Sequence, residues 1–313
     1  MNSFVCDKSL AQLVGREKTF LIEERISLKS LPSKINDLQI WMPLPTNDAW
    51  QAIDDFKLTS PFTTRFITEK EYGNRIVCLT PKNGVTDIGS YEIVMSYKVR
   101  RREAGASDYM PAYNKDLSQF LKPDGTVPIG GEIRELAEKI TQGKVGDLEK
   151  VKATYDYLIN NLTYAKDGPN VCGIGNSLIT LKYKKGMCTD WHSLFISLVR
   201  SLGIPAKFEI GFRIPEGMEE GKIEGYHCWA KFYIKGKGWI PLDVSEAYKH
   251  PEKRDYFFGH IDENRVVITT GRDIRLDNSL RAQTLNFFIY PYMEVNGIQS
   301  KVEGINISFK KVE

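Results

Sequence analysis

Three residues of this chain have the types and local settings that nucleophilic acyl chemistry requires. Cys188 stands in Gly186-Met187-Cys188-Thr189-Asp190, His227 in Tyr226-His227-Cys228-Trp229, and Asp243 closes Trp239-Ile240-Pro241-Leu242-Asp243. A thiol becomes a strong nucleophile when a base takes its proton, and the base acts well when a third group fixes its tautomer and orientation. A cysteine, a histidine and an aspartate in this order supply the three roles.

The elements that must position them are legible around each residue. Trp191, Leu194, Phe195, Leu198, Val199 and Leu202 recur at helical spacing after Cys188, and Gly203 with Pro205 ends the run. Cys188 therefore opens a helix, where free backbone N–H groups and the positive end of the dipole favour a thiolate. The Cys188 backbone N–H is in turn a candidate oxyanion donor. Asp190, in the same turn, suits the dipole. Residues 226–234 alternate as a strand, Lys235-Gly236-Lys237-Gly238 reads as a turn, and residues 239–244 form a second strand. Folded antiparallel, the pair brings His227 within a residue or two of Asp243, near enough for a hydrogen bond. Cys228 faces away from His227, since strand neighbours point to opposite sides.

These segments resemble bacterial proteins of the transglutaminase-like superfamily, whose core is a variant of the papain-like cysteine-peptidase fold. The resemblance is carried by the run 186–195, by Arg200-Ser201-Leu202-Gly203-Ile204-Pro205-Ala206-Lys207, by 225–233 and by 238–247, and it continues through Asn264-Arg265 and Gly271-Arg272-Asp273-Ile274. It covers roughly residues 145–276. It implies Cys188 as nucleophile, His227 as general base and acid, and Asp243 as the orienting carboxylate. Asn176, in a Gly-rich stretch upstream, is the expected second oxyanion donor, because its side chain carries N–H groups. The aromatics beside the three residues, Trp191, Tyr226, Trp229 and Trp239, are assigned to a substrate groove. Lys207 stands where the family more often has Arg, and Leu242-Asp243-Val244 varies the commoner Val-Asp-Pro; neither change removes a reacting group.

The implied chemistry runs through a thioester on Cys188. Water as the second nucleophile makes the chain a cysteine protease or amidase, the reading favoured here. A primary amine makes it a cross-linking transferase, and a third reading keeps the fold as a binding module. A peptide or protein substrate is expected, with no cofactor.

Size and composition bound the remainder. The 313 residues suggest two domains, with 42% hydrophobic and 27% charged residues, as in a soluble globular chain. A net charge of +3 is too small for a nucleic-acid binder. Five widely spaced cysteines, at 6, 78, 172, 188 and 228, form neither a disulfide framework nor a metal motif. No acidic run suits calcium. The first fifteen residues lack a signal-peptide pattern, and no stretch reads as a membrane span, which points to a cytoplasmic protein with no membrane partner. The expected fold is α+β: an antiparallel β-sandwich over residues 1–110, a connector over 111–131, a papain-like catalytic domain over 132–276, and strands from 277–313 packing on the body. Helices are expected from Glu132 and over 147–162, with Asp147 as N-cap. The glycine- and asparagine-rich loop 165–177 precedes the site.

Overall fold

The computed structural model describes residues 16–28, 35–82, 90–105, 116–165, 173–277 and 284–312. The expectations for the first fifteen residues, for Cys6 and Cys172, and for most of the loop 165–177 lie outside the described residues.

The first six strands are β1 (Glu17–Leu28), β2 (Leu38–Leu44), β3 (Gln51–Thr59), β4 (Thr63–Thr68), β5 (Arg75–Thr80) and β6 (Tyr91–Arg102). Helices α1 (Glu132–Ile140) and α2 (Asp147–Asn161) follow, then β7 (Thr163–Tyr164), α3 (Ser177–Tyr183), β8 (Lys185–Gly186) and α4 (Cys188–Ser201). The chain continues through β9 (Ala206–Arg213), β10 (Glu220–Lys222), β11 (His227–Ile234), β12 (Gly238–Leu242), α5 (Val244–Lys249) and β13 (Arg265–Thr270). It ends with β14 (Ile274–Arg275), β15 (Thr284–Leu285), β16 (Tyr292–Val295), β17 (Ile298–Ser300) and β18 (Ile305–Lys311).

Two five-stranded antiparallel sheets face each other in the β-rich half. Their orders are β10-β18-β1-β6-β3 and β17-β16-β2-β5-β4. Alternation fixes their inner faces: Phe20, Ile22, Ile26 and Leu28 of β1 are buried, as are Ile93, Met95, Tyr97 and Val99 of β6. The C-terminal strands pair inside these sheets: β18 runs beside β1, and β16 beside β2. Through β10, the segment after β9 also joins the first sheet, on β18.

The other half is built on a four-stranded antiparallel sheet, β12-β11-β9-β13. Helix α4 packs on it, and α1, α2, α3 and α5 surround α4. Helical spacing predicts an apolar face for α4, but all fourteen of its residues are buried. Its polar side chains are therefore bonded internally. Arg200 donates to the carbonyls of Ala206 (2.9 Å) and Lys122 (2.7 Å), and Ser201 to that of Leu198 (2.7 Å). A buried guanidinium without such acceptors would be costly. Helix α2 begins at Asp147, with Gly146 rather than Asp147 in the N-cap position. A single apolar cluster runs from the sandwich interior through the α4 core. No helix among the described residues is long and apolar enough to cross a membrane.

Candidate functional site

The first turn of α4 is shaped by Asp190. Its Oδ2 accepts from the N–H of Met187 (2.8 Å) and Gly173 (2.6 Å), and its Oδ1 from the N–H of Gly175 (2.8 Å). One carboxylate thus ties the residues before Cys188 to the helix. Gly186 makes this fit possible, since a Cβ there would lie 2.6 Å from the Asp190 Cβ. Cys188 follows the N-cap residue Met187. Its N–H is one of the first-turn amides that no intrahelical carbonyl reaches. Burial raises the Asp190 pKa against these three N–H groups.

His227 begins β11 and pairs with Gly211 of β9. Gly211 is required by close backbone approach: a Cβ there would sit 1.8 Å from the Val266 carbonyl oxygen, beside the bulge that bends β13. In the β11–β12 ladder Ala230 opposes Leu242, so Asp243 lies diagonally across from His227, just beyond the last pair. Asp243 N-caps α5, accepting at Oδ1 from the Glu246 N–H (2.9 Å) and the Ser245 hydroxyl (2.9 Å). Its Oδ2 receives His227 Nε2 at 2.6 Å and Arg265 Nη1 at 2.9 Å. With Nε2 so engaged, the other ring nitrogen is left free on the cleft side, where Cys188 and His227 line the same wall.

The electrostatics reinforce the geometry. The Cys228 thiol donates to Cys188 and, against burial, holds the Cys188 pKa well below its usual range; His227 adds to the effect. Burial disfavours the His227 imidazolium, but the Asp243 carboxylate outweighs it and raises the pKa. Burial would likewise raise Asp243, but His227 and Arg265 keep it ionised. The arrangement can thus place a thiolate beside an imidazolium that is braced by a buried carboxylate.

The site opens on a cleft of about 910 Å³ lined by Cys188, His227, Tyr226, Arg213, Lys222 and Glu224, among others. Of the four aromatics assigned to a groove, Tyr226 alone lines it. Trp191 is fully buried, donating to the Gly186 carbonyl (3.1 Å) and packing on Tyr248. Trp229 is fully buried and donates to Glu209 (2.9 Å). Trp239 pairs with Tyr233, six residues from His227 along β11, or roughly 20 Å at strand rise. There it packs on Phe120 and Tyr233, under the Lys207 ammonium. These three belong to the core and the far end of the hairpin. Asn176 is a correction of the same kind. Its Oδ1 caps α3, accepting from the N–H of Leu178 and Ile179 (both 3.1 Å), and it does not line the cleft.

Several neighbours carry more of the site than the sequence suggested. His192, one turn after Cys188, is fully buried between the two halves of the site. Its Nδ1 lies 2.7 Å from the Cys188 carbonyl, and its Nε2 accepts the Val244 N–H at 3.1 Å. Arg265 is buried against Asp243, and its place at the head of the apolar Val266-Val267-Ile268 run was the signal for it. Glu246, also buried, holds Arg213 (3.1 Å) and Lys249 (3.0 Å) at the cleft wall. The four-residue spacing of Cys188 and His192 was visible, but their bridge to Val244 was not.

Residues 134–244 match the family model of the Transglutaminase-like superfamily. An uncharacterized protein of Haemophilus influenzae is 27% identical over 300 residues, covering 82% of this chain and 80% of its own length. The uncharacterized protein YebA of Bacillus subtilis is 29% identical over 132 residues, 38% of this chain and 18% of that protein. Among solved structures, a candidate cysteine protease from Cytophaga hutchinsonii aligns with a TM-score of 0.62 at 19% identity. That alignment covers 95% of this chain and 92% of the other, a likeness of fold.

Proposed function

From the premise that this chain carries a transglutaminase-like superfamily domain over residues 134–244, we propose that it is a cysteine hydrolase acting on peptide or other carboxamide bonds. The observation that carries this reading is that Cys188 and His227 line one open cleft, with His227 Nε2 bound to the buried Asp243 carboxylate at 2.6 Å. Cys188 attacks the carbonyl carbon, and the oxyanion is met by the Cys188 N–H at the head of α4. His227 then delivers a proton to the leaving amine, and a thioester remains on Cys188. His227 next takes a proton from water, which attacks the thioester and frees the acid. The cleft favours water as that nucleophile. It is wide and lined by charged side chains such as Arg213, Lys222 and Glu224. An amine acceptor competes with water only where the site excludes it.

Incubation with casein and a fluorescent primary amine tests the reading. Hydrolysis yields peptide fragments or free ammonia without dye incorporation, and Cys188→Ala abolishes the products. Dye incorporated into casein without fragments would replace hydrolysis by amine transfer. No product of either kind, with slow and uniform alkylation of the cysteines by iodoacetamide, would overturn the enzymatic reading.

A further inference from the structure

The chain between β9 and His227 does not pass directly from one strand of the four-stranded sheet to the next. It joins the edge of a sandwich sheet as β10 and then returns to the site through Gly225 and Tyr226. Among the described residues β10 is the end strand of its sheet, paired with β18 on one side only. The register shows which of its backbone groups that pairing uses. The Ile223 N–H donates to the Ile307 carbonyl at 2.9 Å, and the Lys311 N–H to the Glu219 carbonyl at 2.6 Å. Gly221 stands opposite Phe309 between these pairs, so the odd-numbered positions face β18. The N–H and C=O of Glu220 and Lys222 therefore point out of the sheet edge, where no described backbone group meets them. Both residues are exposed. Lys222 also lines the cleft that holds Cys188 and His227, together with Glu216, Met218 and Glu224 of the same segment. An open strand edge thus borders the cleft.

We propose that the substrate is an extended polypeptide that adds to the outer edge of β10 as one more strand, its backbone bonded to the N–H and C=O of Lys222 while another part of the same chain reaches Cys188 in the cleft. The inference rests on the reading of Cys188 as the reacting group, and it narrows the substrate from any carboxamide to a polypeptide segment. Unpaired edge groups attract a further strand, and strand addition satisfies them through the main chain, with little demand on sequence. The edge is continuous with the reacting residues, since Lys222 and His227 line one cleft. Met218, 48% exposed on the same wall, offers apolar surface to a side chain of the added strand. The edge spans only three residues, Glu220–Lys222. That length suits transient capture of a peptide better than lasting edge-to-edge pairing of two folded chains, for which short edge strands are a deterrent.

The test measures binding of fluorescein-labelled tryptic casein peptides to the full chain carrying Cys188→Ala, which cannot consume them, by fluorescence anisotropy. Adding Lys222→Pro removes the outward N–H together with the side chain and leaves the pairing with β18, as proline at a sheet edge allows. Adding Lys222→Ala instead removes the side chain alone. Lys222→Pro is expected to weaken binding about tenfold, the scale of one unreplaced backbone hydrogen bond, and Lys222→Ala to stay within about threefold. Amide exchange followed by NMR gives a second readout that needs no change in β10. The peptides are expected to slow exchange of the Lys222 N–H and to leave that of Ile223, already bonded to β18, unchanged. Absence of peptide binding would overturn the proposal, as would a loss in Lys222→Ala equal to that in Lys222→Pro, or a Lys222 N–H left unprotected by bound peptide. Casein hydrolysis that is indifferent to Lys222→Pro sinks this inference alone. Peptides held along β10 by a chain that hydrolyses nothing sink the hydrolase reading alone.

Discussion

At the scale of the residue, Asp243 is the most heavily committed group in the site. Its two oxygens serve His227, Arg265, Ser245 and the Glu246 N–H while fully buried. An amide in its place keeps the shape but presents an N–H where two donors already point. Asp243→Asn is expected to lower kcat/KM by about 10³–10⁴-fold, the scale known for a lost orienting carboxylate, with the far-UV circular dichroism retained. A fall of less than about tenfold would remove Asp243 from its assigned role. Cys188, His227 and Asp243 were readable from the sequence because each sits in a local signal: a helix start, a strand, a strand end. The contributions of His192 and Arg265 were not. Their partners are Val244 and Asp243, 52 and 22 residues away along the chain, and no local pattern reports such a pairing.

At the scale of the element, the helix that presents Cys188 depends on what braces its first turn. Asp190 gathers three backbone N–H groups there, and α3 arrives beside it with its own cap at Asn176. Asn176→Ala is expected to cost about 1 kcal/mol of stability, the usual cost of a lost N-cap, measured by chemical denaturation. The rate of Cys188 alkylation by iodoacetamide at pH 6 should stay within about twofold. A much slower alkylation would return Asn176 to a direct part in the site. The period of the apolar residues foretold α4 and the β11–β12 hairpin. It did not foretell that α4 would be buried on every side, where carbonyls of other segments receive Ser197 and Arg200.

At the scale of the whole molecule, a buried carboxyl in the sandwich interior couples stability to pH. Glu24 is buried between the sheets and accepts from the Tyr97 hydroxyl at 3.0 Å. Burial raises its pKa from the usual 4.5 to about 7, with the Tyr97 bond opposing. The folded protein therefore holds a proton on Glu24 over a pH range where the unfolded chain has released it. Stability is fully present below pH 4.5 and falls as pH rises toward 7, by up to about 3 kcal/mol on this group's account. Denaturant titrations of Glu24→Gln are expected to lose that slope and to gain stability over the wild type at pH 8; an unchanged slope would refute it. Taken alone, the sequence determined the α+β composition, the superfamily resemblance and the three candidate residues Cys188, His227 and Asp243, because periodicity and local motifs are properties of neighbours in the chain. The tertiary structure decided which aromatics line the cleft, that the C-terminal strands enter both sheets of the sandwich, and that Cys228 packs on Thr189 and His192 of α4. Those outcomes depend on contacts between distant segments, whose register and burial are settled only when the sheets and the central helix pack together.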